Sequence, residues 1–298
     1  MGKTNIEWTR GDDGSLGKTW NPVTGCSHVS EGCRNCYAEA ITKRFRKDHK
    51  PWTAANAKHN VVLHPERLEQ PLHWKKPCRI FVDSMGDPFH ELNPPGFIRG
   101  VIQSALLAVK ERGHTFIFLT KRAERMLWYL RAEADTVFQG YLAHERRMQF
   151  GVSVENQPTA DDRIPKLLQC PVATRIVSYE PALGPVDFEE WLQDGIPTEK
   201  QMKSERAMDY IRHGSPRIDQ IIIGGESGPN GRPFDLQWAR DAISKCKAAG
   251  VPVFLKQLGS KPFRYAGQHG HLDLHLTDRK GGNMNEWPED LRMREMPR

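Results

Sequence analysis

The chain has 298 residues, 38% of them hydrophobic and 27% charged, which is enough for one large barrel-type domain or two ordinary ones. Its 43 Lys and Arg against 37 Asp and Glu leave a net charge of +6, which favours a polyanionic partner but also suits an ordinary soluble surface. No run of about 18 apolar residues occurs, so neither a membrane-spanning helix nor a membrane partner is expected. The hydrophobic fraction is too high for a disordered chain, and residues 1–20 lack the apolar core of a secretory signal, so the expected location is cytoplasmic.

The first predicted strand lies around Thr19–Val23. Directly after it three cysteines crowd together, Cys26, Cys33 and Cys36, spaced C-x6-C-x2-C. Without an export signal, clustered thiolates read as metal ligands rather than as a disulfide framework. A cubane iron–sulfur cluster is normally held by four thiolates and a structural zinc by four ligands, so a trio leaves one metal corner open for chemistry. His28 offers the competing reading, a Cys3His zinc site, although the single residue between Cys26 and His28 is short for a zinc module. Cys78, Cys170 and Cys246 stand apart beside apolar or proline-containing sequence and read as small buried hydrophobes. Residues 42–75, basic and carrying Trp52 and Trp74, read as an insertion.

Beyond the cysteines, short runs rich in Val, Ile and Phe predict strands at Arg79–Asp83, Thr115–Leu119, Met148–Val152, Arg175–Ser178, Gln220–Ile223 and Val251–Leu255, as expected where both faces are buried. Pro95–Arg112 places Phe97, Val101, Ala105 and Ala108 at helical intervals and stops at Gly113. Asp235–Ala249 does the same with Trp238, Ala242 and Cys246 before Gly250. Sustained strand–helix alternation argues for an α/β parallel sheet closed fully or partly into a (β/α) barrel, with a doubly wound open sheet as the alternative. No Gly-x-Gly-x-x-Gly turn supports a dinucleotide fold. On this reading residues 1–258 form the barrel, with a second insertion near 187–216, and 259–298 form a basic C-terminal extension packed on it.

Polar residues follow the strands: Asp83-Ser84-Met85-Gly86-Asp87, Thr120-Lys121-Arg122, Ser153-Val154-Glu155-Asn156, Ser178-Tyr179-Glu180, Gly224-Gly225-Glu226 and Lys256-Gln257. In barrels the strand C-termini line the active site, so the series predicts an active-site mouth, although any one such residue also suits a turn or helix cap. Gly224 and Gly225 let backbone approach a ligand, and Glu226 can accept from an amine or ribose hydroxyls. Glu155 and Glu180 can hydrogen-bond or transfer protons, and Lys121, Arg122 and Lys256 can neutralise a carboxylate or phosphate. Arg122 reads equally well as a solvated loop charge. Asp83, Asp87 and His90 match no standard metal spacing and read as polar substrate contacts.

Trp20-Asn21-Pro22-Val23-Thr24-Gly25-Cys26, Gly32-Cys33-Arg34-Asn35-Cys36-Tyr37-Ala38-Glu39, Gly151–Asn156, Ser178–Pro181 and Ile223–Pro229 together resemble the phage Gp37/Gp68 family (DUF5131) through nearly the whole chain. That family is in turn similar to radical S-adenosylmethionine enzymes of the TIM-like barrel type. The resemblance implies a [4Fe–4S] cluster on Cys26, Cys33 and Cys36, whose fourth iron binds S-adenosyl-L-methionine. It also implies cleavage to a 5′-deoxyadenosyl radical and an electron donor such as flavodoxin or ferredoxin. The sequence departs from the superfamily pattern in three ways: a first gap of six rather than three, Asn35 where an aromatic usually precedes the third cysteine, and Gly-Gly-Glu after the sixth strand rather than the second. The backbone of Ser84 and Met85 is then expected at the methionine end, with Gly224–Glu226 facing ribose or substrate. The remaining expected cofactor contacts are Glu155, Asn156 and Tyr179, and the expected catalytic residues are Lys121, Glu180 and Lys256.

The expected substrate class, a nucleotide, DNA or RNA, rests on charge, on the basic Trp-bearing insertion and on the phage setting of the resemblance. The basic residues would contact phosphate, and Trp or Phe would stack a base, while helix packing accounts equally well for the tryptophans. The competing function is a zinc-stabilised nucleic-acid-binding barrel without radical chemistry.

Overall fold

The computed structural model describes residues 3–133, 136–193, 216–265 and 270–297. Most of the predicted insertion at 187–216 therefore lies outside the described residues. In chain order, β1 (Lys18–Trp20) and β2 (Val23–Thr24) precede α1 (Tyr37–Phe45), α2 (Ala57–Asn60), β3 (Val62–Leu63) and β4 (Arg79–Val82). Next come α3 (Pro95–Arg112), β5 (Thr115–Thr120), α4 (Ala123–Trp128), α5 (Thr136–His144), β6 (Met148–Val154), α6 (Gln157–Leu168), β7 (Thr174–Tyr179) and α7 (Glu189–Leu192). The chain continues through β8 (Gln220–Gly224), β9 (Phe234–Asp235), α8 (Leu236–Ala248), β10 (Val253–Gln257), β11 (Pro262–Tyr265) and β12 (His271–Asp273).

Seven strands form one parallel sheet in the order β1-β4-β5-β6-β7-β8-β10. The architecture is mixed α/β, with the sheet curved into an open half-barrel. Neighbouring strands are consecutive along the sheet, as short right-handed strand–helix–strand connections require. The predicted strand around Thr19–Val23 is broken in two. Pro22 has no amide hydrogen for a ladder, so β1 pairs with β4 while β2 turns away to pair antiparallel with β3.

Side-chain alternation along each strand divides the core. One face packs Ile80, Val82, Phe116, Phe118, Phe150 and Val152 against helices such as α3 and α6. The opposite face gathers Ile117, Ile176, Ile222 and Phe254 around Trp8 from the N-terminal segment. α3 ends where Gly113 adopts a left-handed conformation, φ 71°, and donates to Val109 O. The described part of residues 259–298 binds the β10 edge, with Leu255 N donating to Met293 O and Leu258 N to Gly281 O.

Candidate functional site

The C-terminal ends of the strands surround a cavity of about 510 Å³, within the size range of small-molecule sites. Cys26, Cys33 and Cys36 line it together with Ser84, Lys121, Glu180, Glu226 and Lys256. Lys256 is aimed there by a bulge: β10 pairs Leu255 with Ile223 but Gln257 with Gly224, leaving Lys256 as the extra residue. Its Nζ donates to Glu180 Oε1 at 2.6 Å, and both side chains are largely buried. Lys121 Nζ stands 3.9 Å from Glu155 Oε1.

The cysteines lie on a segment with little regular structure of its own, a 3-10 turn at Glu31–Cys33 followed by α1. Non-local side chains hold it. Gly25, at φ 81°, tucks under Asn60, whose carbonyl oxygen a Cβ would meet at 1.9 Å, and its amide donates to Met85 O. Arg122, 6% exposed, donates through Nη1 to Cys26 Sγ at 3.3 Å and Asp87 Oδ2 at 3.1 Å, and through Nη2 to Ser27 O and Oγ at 3.0 and 2.9 Å. Glu155 accepts from Ser30 Oγ at 2.8 Å and from Arg163 Nη1 at 3.1 Å. Gly32 lies so close to Glu155 that a Cβ would meet Oε1 at 2.4 Å. Glu226 accepts from Asn35 Nδ2 at 2.9 Å and from three nitrogens of Arg232, whose Nη1 also donates to Glu31 O. Burial works to raise the Glu226 pKa, but the hydrogen bonds from Arg232 and Asn35 outweigh it and hold the carboxylate below its ordinary range.

Burial pushes the Cys26 thiol up to about 12, with the Asp87 charge adding to it and Arg122 opposing, and burial also raises Cys36. Cys33 lies close enough for its charge to raise both neighbours. Loading a metal there must therefore release protons. Among the described residues no three His, Cys, Asp or Glu side chains converge on a single-ion site. His28 Nε2 is committed to Glu39 Oε2 at 2.7 Å. The donor set suits an iron–sulfur cluster chemically: three soft sulfurs reach one cavity, with Arg122 on one of them and the charge of Lys121 near Cys36.

The other expected cofactor contacts divide. Ser84 and Glu226 line the cavity, whereas Met85, Glu155, Asn156, Tyr179, Gly224 and Gly225 are not among its lining residues. Asn156 caps α6 in a capping box with Thr159. The Tyr179 hydroxyl donates to Gly184 O. Gly224 makes room for Glu180, and Gly225 packs against Leu258 O, which a Cβ would meet at 2.3 Å. The Ser84–Met85 backbone is engaged: Ser84 O accepts from the Tyr37 hydroxyl, Met85 N donates to Asn21 Oδ1 and Met85 O accepts from Gly25 N.

Sequence reasoning underrated Arg122 and Asp83. Asp83 follows β4 in the left-handed region, φ 52°, with Oδ1 accepting from Val23 N while the buried Oδ2 has no hydrogen-bond partner among the described residues. Burial raises its pKa well above the ordinary carboxylate range, with the Asp87 charge adding to it and the hydrogen bond from Val23 N opposing, and the residue borders the cavity. Among non-glycine residues, Asp and Asn best tolerate a positive φ, and that is the one signal the sequence held. Of the expected polar substrate contacts, Asp83 and Asp87 line the cavity and His90 does not, while Asp87 and His90 also hold the clamp through Arg122 and Ser27. His90 Nδ1 accepts from Leu92 N, which places its proton on Nε2, donating to Ser27 Oγ. Trp52 is buried, and Trp74 packs against the core.

A family model described as "Protein of unknown function (DUF5131)" matches residues 3–284. No curated protein matches the chain, and no solved structure does.

Proposed function

The chain belongs to the DUF5131 family of proteins of unknown function, and from that premise we propose that it is an iron–sulfur enzyme of the radical S-adenosylmethionine type, akin to the phage Gp37/Gp68 proteins. The observation that carries this reading is that three cysteines and a half-buried Lys–Glu pair open onto one cavity at the strand C-termini. Cys26, Cys33 and Cys36 would hold a [4Fe–4S] cluster, leaving one iron without a protein ligand. When bound and reduced by one electron from a flavodoxin- or ferredoxin-like donor, such a cluster supplies reductive cleavage of the sulfonium of S-adenosylmethionine and hence hydrogen abstraction from substrate.

The chain's own residues do the rest. The Arg122, Glu155 and Glu226–Arg232 clamps fix the cysteine segment against the strand ends, so the sulfurs are positioned by buried groups and not by a free loop. Arg122 and Lys121 offset the negative charge that three thiolates bring into a poorly solvated wall. Lys256 and Glu180 present opposite charges side by side, matched to the carboxylate and ammonium of an amino acid. Asp83, whose Oδ2 has no hydrogen-bond partner among the described residues, offers a polar contact at the cavity wall. Trp8, Phe81 and Leu119 close the floor with apolar surface, which excludes water from reactive species.

Anaerobic reconstitution with iron and sulfide, followed by dithionite and S-adenosylmethionine, tests the reading. About four iron per chain and release of 5′-deoxyadenosine are expected, with both lost in Cys33→Ala. One zinc per chain with no iron uptake would replace the enzyme with the zinc-stabilised binding module.

A further inference from the structure

α1 turns an apolar stripe outward. Tyr37, Ile41 and Phe45 recur every fourth residue, so each lies only about 40° further round the helix than the last. They are 52%, 41% and 74% exposed, whereas Ala38 faces the protein. The stripe begins at the cavity, which Tyr37 lines beside Val29, and runs about 12 Å outward at 1.5 Å per residue. Tyr37 is pinned by the bond from its hydroxyl to Ser84 O, so its ring stands fixed at the rim.

The surroundings are cationic. Residues 43–50 hold five Lys or Arg and a single acid, Asp48, which pairs with Arg46 at 2.7 Å. Glu39, the acid within α1, is taken by His28. Lys43, Arg44, Lys47 and Lys50 make no ion pair among the described residues. The Arg44 guanidinium lies 5.3 Å from the centre of the Phe45 ring, a cation held beside a ring face.

We propose that this stripe docks a single-stranded polynucleotide and leads it to the cavity. Exposed rings flanked by unpaired cations are what stacked bases and a phosphate backbone require. Three side chains on one nine-residue helix fall far short of the roughly 800 Å² that a stable protein partner needs. A duplex keeps its base faces stacked, and only an unstacked nucleotide could enter the cavity. That the strand is the substrate rests on the enzyme reading above; that it binds does not.

Fluorescence anisotropy of the protein as purified, without reductant or S-adenosylmethionine, separates the two claims. A labelled single-stranded 15-mer should bind more tightly than its duplex, in DNA and RNA arms run side by side, with log K falling as log salt rises at a slope near −3 for about four phosphates. Phe45→Ala should weaken binding about tenfold without changing the slope, as loss of one stacked base predicts. Lys43→Ala and Lys47→Ala should each flatten the slope by about 0.7. Equal affinity for duplex, or no loss in Phe45→Ala, would overturn the proposal in favour of a merely basic surface. So would binding to anionic vesicles or to an acidic electron carrier without oligonucleotide binding. If the 15-mer binds as expected but no 5′-deoxyadenosine forms, the enzyme reading fails and the docking surface stands.

Discussion

Replacing Arg122 by Met removes the group on which the cysteine segment depends most. Its side chain is 4% exposed and makes four polar contacts beyond Glu91, and Asp87, whose carboxylate it neutralises, is 5% exposed. Without the guanidinium, Asp87 keeps, among the described residues, Thr120 Oγ1 at 2.7 and 2.9 Å and Phe89 N at 2.9 Å. A buried charge losing its partner costs about 3–5 kcal/mol. The second ion pair, to Glu91, adds little because that carboxylate is 60% exposed. Against a total stability of about 5–15 kcal/mol this is a severe loss. Urea unfolding followed by far-ultraviolet circular dichroism should show it as a lower midpoint at unchanged slope. The Asp87→Asn/Arg122→Met double variant should recover at least about 1 kcal/mol, since the stranded charge is gone. A loss under about 1 kcal/mol in Arg122→Met, or simple additivity in the double variant, would refute the clamp.

Asp83 governs a pH dependence. Its folded pKa lies above its unfolded value, so between the two the folded state holds one proton more and stability falls as pH rises, by up to about 1.4 kcal/mol per unit. Asp83→Asn removes the titrating group and should flatten that decline, gaining stability at pH 8 relative to pH 5; parallel pH dependences of the melting temperature for the two proteins would contradict the assignment. Gly32→Ala drives a methyl into Glu155 and should cost about 1–3 kcal/mol by thermal melting. Glu180→Gln should weaken S-adenosylmethionine binding about tenfold in equilibrium dialysis at unchanged iron content; unchanged affinity would remove the Lys256–Glu180 pair from the ligand site.

The strands were legible because parallel strands buried on both faces leave continuous runs of Val, Ile and Phe, and α3 because Pro95 and Gly113 punctuate it at both ends. Five of the strand-end residues expected as cofactor contacts or catalytic groups, and the three cysteines, line one cavity. What stayed hidden depends on partners far away in sequence. Nothing local shows that Glu155 and Glu226 hold the cysteine segment, because their partners Ser30 and Asn35 stand 125 and 191 residues distant. Arg122 looked like a loop charge because nothing local reveals Asp87 or Cys26 beside it. Asn156 was readable after all: Asn-Gln-Pro-Thr at the start of an amphipathic run is a helix-capping signal, with Pro in the first turn. The glycine pair at 224–225 carries close packing against Glu180 and Leu258, a use of glycine that no motif distinguishes from ligand approach.

The proposed iron without a protein ligand, facing the cavity, would be seen directly. Electron paramagnetic resonance of the reconstituted, dithionite-reduced protein, recorded with and without S-adenosylmethionine, should show a cluster signal that changes shape and position when the sulfonium ligand is added. A signal indifferent to that ligand, or none at all from protein carrying a single zinc ion, would contradict the account.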